Sequence, residues 1–335
     1  MNTKRIISLV ASLALVLSLS VGLTGCGDKA AQDDNQGSTD GEGTKYTVGI
    51  CQLVQHEALD AATQGFIDAL NEALPGQVEF QNKNASGDSA NCSTIVNGFV
   101  SDGVDLIMAN ATGALTAAAA ATSDIPILGT SITAYGVALD IDDFNGTVGG
   151  NISGTSDLAD LEAQANMITE WFPEAKKVGL LFCSAEPNSR YQIGEVAKCL
   201  SDKGIETKEF AFTDTNDVAS VTQSAADYSD VVYVPTDNTA ASNTEAIANV
   251  VIPEKVPVVA GEEGICKGCG VAALSISYYD LGYKTGEMAA EILADGADVS
   301  TMPVEFAPNV TKKYNAANCE ALGITPPDGY EAIAD

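Results

Sequence analysis

The sequence predicts an α/β fold built as two similar lobes whose strand-end loops face one another across a cleft. Three observations predict it. From residue 46 onward, short apolar runs alternate with amphipathic segments, the signature of repeated β–loop–α units and of mostly parallel sheets with helices on both faces. The pattern breaks at the glycine-rich, aperiodic stretch GTVGGNISGTSD (146–157) and then restarts. The two halves also share a grammar: VGICQLVQHEALD and DLIMANATG in the first, VGLLFCSAEPNS and DVVYVPTDN in the second, each join an apolar strand to a polar loop. A chain of 335 residues is long enough for two such cores.

Taken in order, the chain opens with a processing segment. Lys4 and Arg5 precede an apolar run at 6–21 that is short for a membrane span. Leu23-Thr24-Gly25-Cys26 follows and resembles the bacterial lipoprotein cleavage box, so residues 1–25 are expected to be a signal peptide and Cys26 the lipidated first residue of the mature chain. Residues 26–45 contain GDKAAQDDNQGSTDGEGT, with no aliphatic side chain larger than alanine, and read as a flexible tether.

Tyr46–Gln52 is the first strand, and Ala58, Ala62, Phe66 and Leu70, spaced by four, mark one face of the helix after it. A strand at 78–81, a helix at 88–100 with Ile95, Val96 and Phe99 inward, and a strand at 104–108 come next. A loop at 109–113 leads into an alanine-rich helix at 114–121 and a strand at 125–128 ending in Gly129-Thr130-Ser131. Beyond the glycine-rich stretch, helices at 159–172, 191–200 and 218–226 alternate with strands at 178–182 and 205–210. The strand Val231–Val234 is stopped by Pro235, and a polar knot, Thr236 to Thr239, precedes a helix carrying Ile247 and Val250. A strand at 256–260, a strand-like run at 272–277, a helix at 281–293 and a short strand at 304–306 finish the pattern; this tail is long enough to return to the first lobe.

Composition and motifs narrow the function. Acidic residues outnumber basic ones 46 to 16, a formal charge of -30, which repels phosphate backbones and anionic lipid; nucleic-acid binding and membrane contact through the protein surface are excluded. The single histidine, His56, has no Cys/His constellation around it, which removes a zinc site, and no GxSxG or other marked nucleophile supports hydrolysis. No glycine-rich stretch has the setting of a phosphate loop or dinucleotide fingerprint. The expectation is binding without catalysis or cofactor. Of eight cysteines, Cys51, Cys92 and Cys183 read as core positions, while Cys266-Lys267-Gly268-Cys269 has the spacing of a metal knuckle or of a tight disulfide.

Ligands of open α/β sheets sit where strands end and helix N-termini begin, so the candidate residues lie there. Asp237 is placed to meet an ammonium group or to cap its own helix, with Thr236, Asn238 and Thr239 beside it. Ser131, Thr155 and Ser156, with Thr112 and Gly113 at another strand end, offer hydroxyls and backbone N–H groups to a carboxylate. Gln55, His56 and Glu57 form the first cleft loop, and His56 reads equally as a residue holding the start of its helix. Glu186, Asn188 and Ser189 occupy the corresponding second-lobe loop, and Glu262 is a further acid at a strand end. Phe182, Tyr233, Tyr278 and Tyr279 are the aromatic surfaces on offer to a flat side chain, although most aromatics at strand positions belong to the core.

Five stretches carry a family resemblance: HEALD (56–60), TSDIPIL (122–128), VYVPTDNTAAS (232–242), AGEEG (260–264) and YYDLGYKTGEMAAEIL (278–293). With them the chain resembles bacterial ABC-transporter substrate-binding proteins of the tryptophan/tyrosine-uptake type. The resemblance implies a type I periplasmic-binding fold, two Rossmann-like lobes joined by three crossings near 154–157, 264 and 302–305. Lobe 1 is then 46–155 and 265–302, with the helix at 281–293 belonging to it, and lobe 2 is 156–264 and 303–320. It implies capture of L-tryptophan, L-tyrosine or L-phenylalanine and delivery to an ABC permease driven by a cytoplasmic ATPase, from an extracytoplasmic position held to the bacterial membrane by the lipid anchor alone. Another amino acid, a nucleoside-like solute or a ligand-sensing role at a membrane receptor are the alternatives. The family usually has proline after the histidine of the first loop, where this chain has Glu57, an added charge at the cleft mouth.

Overall fold

The computed structural model describes residues 45–307 and 309–334; the expected leader, Cys26 and the tether up to residue 44 lie outside them. The first lobe grows from β1 (Tyr46–Gln52), α1 (Glu57–Ala73), β2 (Val78–Asn84), α2 (Ser89–Asp102), β3 (Leu106–Asn110), α3 (Thr112–Ala121), β4 (Ile127–Ile132), the short α4 (Tyr135–Ala138) and β5 (Ile152–Ser156). Strand β1 pairs in parallel with both β2 and β3, and β4 and β5 follow on the β3 side. An interior strand of a parallel sheet is covered on both faces, which is why Val48, Ile50 and Cys51 are all fully buried. The four-residue spacing in α1 works as read: Ala58, Ala62, Phe66 and Leu70 form its buried stripe.

The second lobe comprises α5 (Leu161–Trp171), β6 (Lys177–Cys183), α6 (Pro187–Asp202), β7 (Glu206–Phe212), α7 (Val218–Tyr228), β8 (Val231–Val234), α8 (Asn238–Ala241), α9 (Thr244–Glu254), β9 (Val258–Ala260), α10 (Glu263–Cys269) and β10 (Ala272–Ser275). The chain continues through α11 (Tyr278–Asp295), β11 (Glu305–Phe306), β12 (Thr311–Tyr314), α12 (Ala316–Leu322) and β13 (Glu331–Ala332). The two sheets run β11-β5-β4-β3-β1-β2 and β13-β12-β10-β9-β8-β6-β7. Their strands are parallel except where β12 runs antiparallel to β10.

Several boundaries differ from expectation. The stretch at 146–157 is not simply a linker: it contains β5, paired with β4 and β11. ISGTS is small and polar, so it lacks the apolar signature of a strand, yet every one of its residues is buried. Gly154 is required there, since its φ is +138° and a Cβ would overlap the Gly129 carbonyl of the neighbouring strand. Strand β10 pairs with β9 and β12, so residues 265–275 belong to the second sheet and the second crossing falls at 276–277, after the position near 264. Strand β11 pairs with β5, so it belongs to the first sheet and the third crossing follows Phe306. The second sheet also extends beyond residue 320 through β13, which pairs with β12.

Helix α11 packs along α1, crossing so closely that a Cβ on Gly282 would overlap the Ala62 carbonyl. Cys266 and Cys269 are free and buried on α10, so the disulfide reading of that pair does not hold; the seven described cysteines are all free thiols. Among the described residues no helix is long and apolar enough to cross a membrane.

Candidate functional site

The carboxyl ends of both sheets point into one interlobe cleft. Its inner chamber is lined by His56, Ser131, Asp157, Asp237, Glu262 and Tyr278, among others, and its outer chamber by Thr112, Gly113, Glu186 and Leu53; Asn188 and Asn238 border both.

The first lobe supplies the inner chamber with two buried polar atoms that have no partners. The register of β4 against β5 shifts between Gly129 and Ile132, and Ser131 has φ +57°, a left-handed conformation that non-glycine residues rarely hold. That irregularity turns the Ser131 side chain into the chamber, where its hydroxyl makes no hydrogen bond. Asp157 follows β5 directly. Its Oδ2 accepts from the Tyr278 hydroxyl at 2.9 Å, while Oδ1 is buried with no donor. Burial pushes the Asp157 carboxyl above its ordinary range.

The second lobe supplies carboxylates seated on helix N-termini. Asp237 accepts from the Cys183 amide at 2.6 Å and from the Ala240 amide at 2.8 Å, the second bond capping α8. Glu186 accepts from the amide and side-chain NH2 of Asn238 at 3.0 and 2.7 Å, and from the amide and hydroxyl of Thr239, each at 2.8 Å. Glu262 accepts from the Gly264 amide at 2.6 Å and from the Ile265 amide, capping α10. Burial, with Glu186 alongside, pushes Asp237 up to about 8; burial pushes Glu262 up to about 7. Among the described residues no lysine or arginine lines the inner chamber. Its one basic candidate, His56, is held below its usual range by burial and so is neutral near pH 7.

The lobes meet over this chamber. His56 Nε2 lies 3.3 Å from Asn238 Oδ1, and Lys267 on α10 donates to Glu57 on α1 at 3.3 Å. The ion pair is exposed on both sides and is worth little by itself. About 10 Å³ is left inside, room for no more than one water, so a larger solute is admitted only when the lobes part. The outer chamber is roomier, about 360 Å³.

The structure brings His56, Ser131, Asn188, Thr236, Asp237, Asn238 and Glu262 to the inner chamber, and Thr112 and Glu186 to the outer one. It does not bring the other candidates there. Gln55 is exposed and lines neither chamber. The Thr155 hydroxyl is tied to those of Thr130 and Thr285 in the first-lobe core. Ser156 uses its hydroxyl on the Thr133 carbonyl and the Leu158 amide, shaping the turn into the crossing. Ser189 is fully buried, its hydroxyl accepts from the Asn188 side-chain amide at 3.3 Å, and it lines neither chamber. Phe182 and Tyr233 are core residues, and Tyr279 turns outward to Asp68 on α1. Asp157 is the residue that sequence reasoning missed. Its one signal was an acid directly following a candidate hydroxyl pair, hidden inside a stretch read as linker.

Two sheets that meet at their carboxyl edges, with helix N-termini and unpartnered polar atoms between them, define a two-lobed solute-binding protein. The chain belongs to the family described as ABC transporter substrate binding protein, whose model matches residues 47–335. This makes it a non-catalytic, extracytoplasmic transport component. It is 35% identical over 315 residues to a tyrosine-binding protein of Clostridioides difficile (strain R20291), covering 90% of this chain and 88% of the relative. It is 30% identical to an ABC domain from Streptococcus pneumonia solved in complex with L-Trp, with a TM-score of 0.82 over 87% of this chain and all of that one. A ligand-free, open substrate-binding protein with adhesive properties from Clostridium difficile is 34% identical, yet its TM-score is 0.65 over 86% of this chain and 99% of that one. The superposition is better on the ligand-bound relative in spite of its lower identity.

Proposed function

We propose that this chain captures an aromatic amino acid, L-tyrosine, L-tryptophan or L-phenylalanine, between its lobes and hands it to a membrane permease driven by a cytoplasmic ATPase. The observation that carries the reading is the pair of buried, unpartnered atoms in one chamber. Ser131 offers a hydroxyl donor to an α-carboxylate, and Asp157 Oδ1 offers an anionic acceptor to an α-ammonium. Asp237, expected from the sequence to take the ammonium, already holds two backbone N–H groups and serves as a second, weaker contact. The aromatic side chain extends past Asn188 and Asn238 toward the outer chamber, where Leu53 and Gly113 offer apolar wall. The tyrosine-binding relative and the L-Trp-bound neighbour support the aromatic assignment. Titration calorimetry on protein stripped of co-purified solute tests it: one-to-one heat with these amino acids is expected, and no heat from any of the three would sink the assignment.

The same reading has the chain tethered outside the cell membrane through an acylated Cys26, supported by the complete box Leu23 to Cys26. Cys26→Ser is expected to move the protein from the detergent phase to the aqueous phase. Identical partitioning of parent and variant would remove the anchor.

A further inference from the structure

We infer that closure of the lobes on the ligand takes up protons from solvent, because the cleft buries more carboxylates than one α-ammonium neutralises. The inference rests on the binding role proposed above. Asp157, Glu186, Asp237 and Glu262 are each at most 8% exposed, and all four face the cleft. A zwitterionic ligand brings one ammonium, and its own carboxylate adds another negative charge. Burying the remaining charges without cations is costly, and a carboxyl under such pressure binds a proton instead.

The groups around each acid leave no alternative counter-ion. Asp157 faces Tyr278 and Tyr135, with Glu262 contributing further negative charge nearby. Asp237 faces Glu186 and the thiol of Cys183. Glu262 faces Asp157, Glu263 and the buried thiols of Cys266 and Cys269. His56 faces Asn238, Glu186 and Asp60 and stays neutral near pH 7 because it is itself buried. The Glu57–Lys267 pair lies on the exposed rim, where solvent screens it.

The direction of the pH dependence follows. In the closed form Asp237 and Glu262 are raised from the ordinary values of 3.8 and 4.5 to about 8 and about 7, chiefly by burial; on this inference, parting the lobes returns water to the cleft and moves both back toward the ordinary values. Between those limits the closed form holds more protons than the open one. Affinity is therefore highest at the acid end of that window, near pH 4, and falls as pH rises to about 8. Ligand is captured more tightly in acidic surroundings and given up more readily in alkaline ones.

Titrate the full chain with L-tyrosine and with L-tryptophan at pH 7 in phosphate and in Tris, whose ionisation enthalpies differ, and repeat across pH 5.5 to 8.5. The expected result at pH 7 is a buffer-dependent enthalpy equivalent to between one and two protons taken up, with affinity weakening by about tenfold per pH unit for each proton. Asp237→Asn should lower the proton count; if it does not fold, Glu262→Gln serves the same purpose. Full binding with equal enthalpies in both buffers and a flat pH profile overturns the inference alone. No heat with either amino acid overturns the binding role and this inference with it.

Discussion

Asp157→Asn is expected to weaken binding of L-tyrosine and L-tryptophan by roughly 30-fold to several thousand-fold, the equivalent of about 2–5 kcal/mol for removing one partner of a buried, charge-assisted pair. The substitution keeps the shape of the side chain and an oxygen for the Tyr278 hydroxyl, which lies 2.9 Å away. It removes the charge and can turn an amide N–H toward the ammonium, so donor meets donor. Stability should change little or rise, because a buried carboxylate with one oxygen unpartnered is itself unfavourable. Asp237→Asn should cost less affinity, since both Asp237 oxygens already accept backbone N–H groups and asparagine caps a helix about as well. Calorimetry on the two variants side by side reads the difference. A larger loss for Asp237→Asn than for Asp157→Asn would return the ammonium to the residue that the sequence favoured.

Much of the architecture was legible because apolar periodicity reports burial directly. The stripe Ala58, Ala62, Phe66 and Leu70 is the buried face of α1, and VVYV before Pro235 is a fully buried strand. The polar knot after it lines the cleft, with Thr236, Asp237 and Asn238 in the inner chamber. Strand β5 was not legible, because ISGTS buys its place in the sheet by close backbone approach at Gly154 and by hydroxyl bonding, neither of which leaves an apolar trace. The crossings were misplaced for a related reason. Which sheet receives β10 or β11 depends on pairing partners more than 100 residues away in one case and on a four-residue strand in the other, and neither is encoded locally.

The site was half legible. Type and position pointed to Ser131, Asn188, Asp237 and Glu262, but what each does depends on the partners around it. A carboxylate with two backbone donors and one with an empty oxygen look alike in sequence, so the sequence points to Asp237 and passes over Asp157. Phe182 and Tyr233 could have been ligand surfaces or core, and long-range packing put both in the core of the second lobe. Thr155 went the same way, its hydroxyl drawn into a first-lobe network with Thr130 and Thr285.

Closure of the two lobes around an aromatic amino acid is supported by contacts that cross the cleft. His56 Nε2 lies 3.3 Å from Asn238 Oδ1, Lys267 donates to Glu57 at 3.3 Å, and Ser131 and Asp157 hold unpartnered polar atoms in the chamber between the lobes. Solution scattering on the stripped chain, before and after saturation with L-tryptophan or L-tyrosine, tests it most directly. A smaller radius of gyration is expected in the ligand-bound protein, with a bound-state profile close to the closed arrangement described here and parted only enough to seat the ligand. An unchanged radius at calorimetrically verified saturation, or a free protein that already scatters as the closed form, would contradict it.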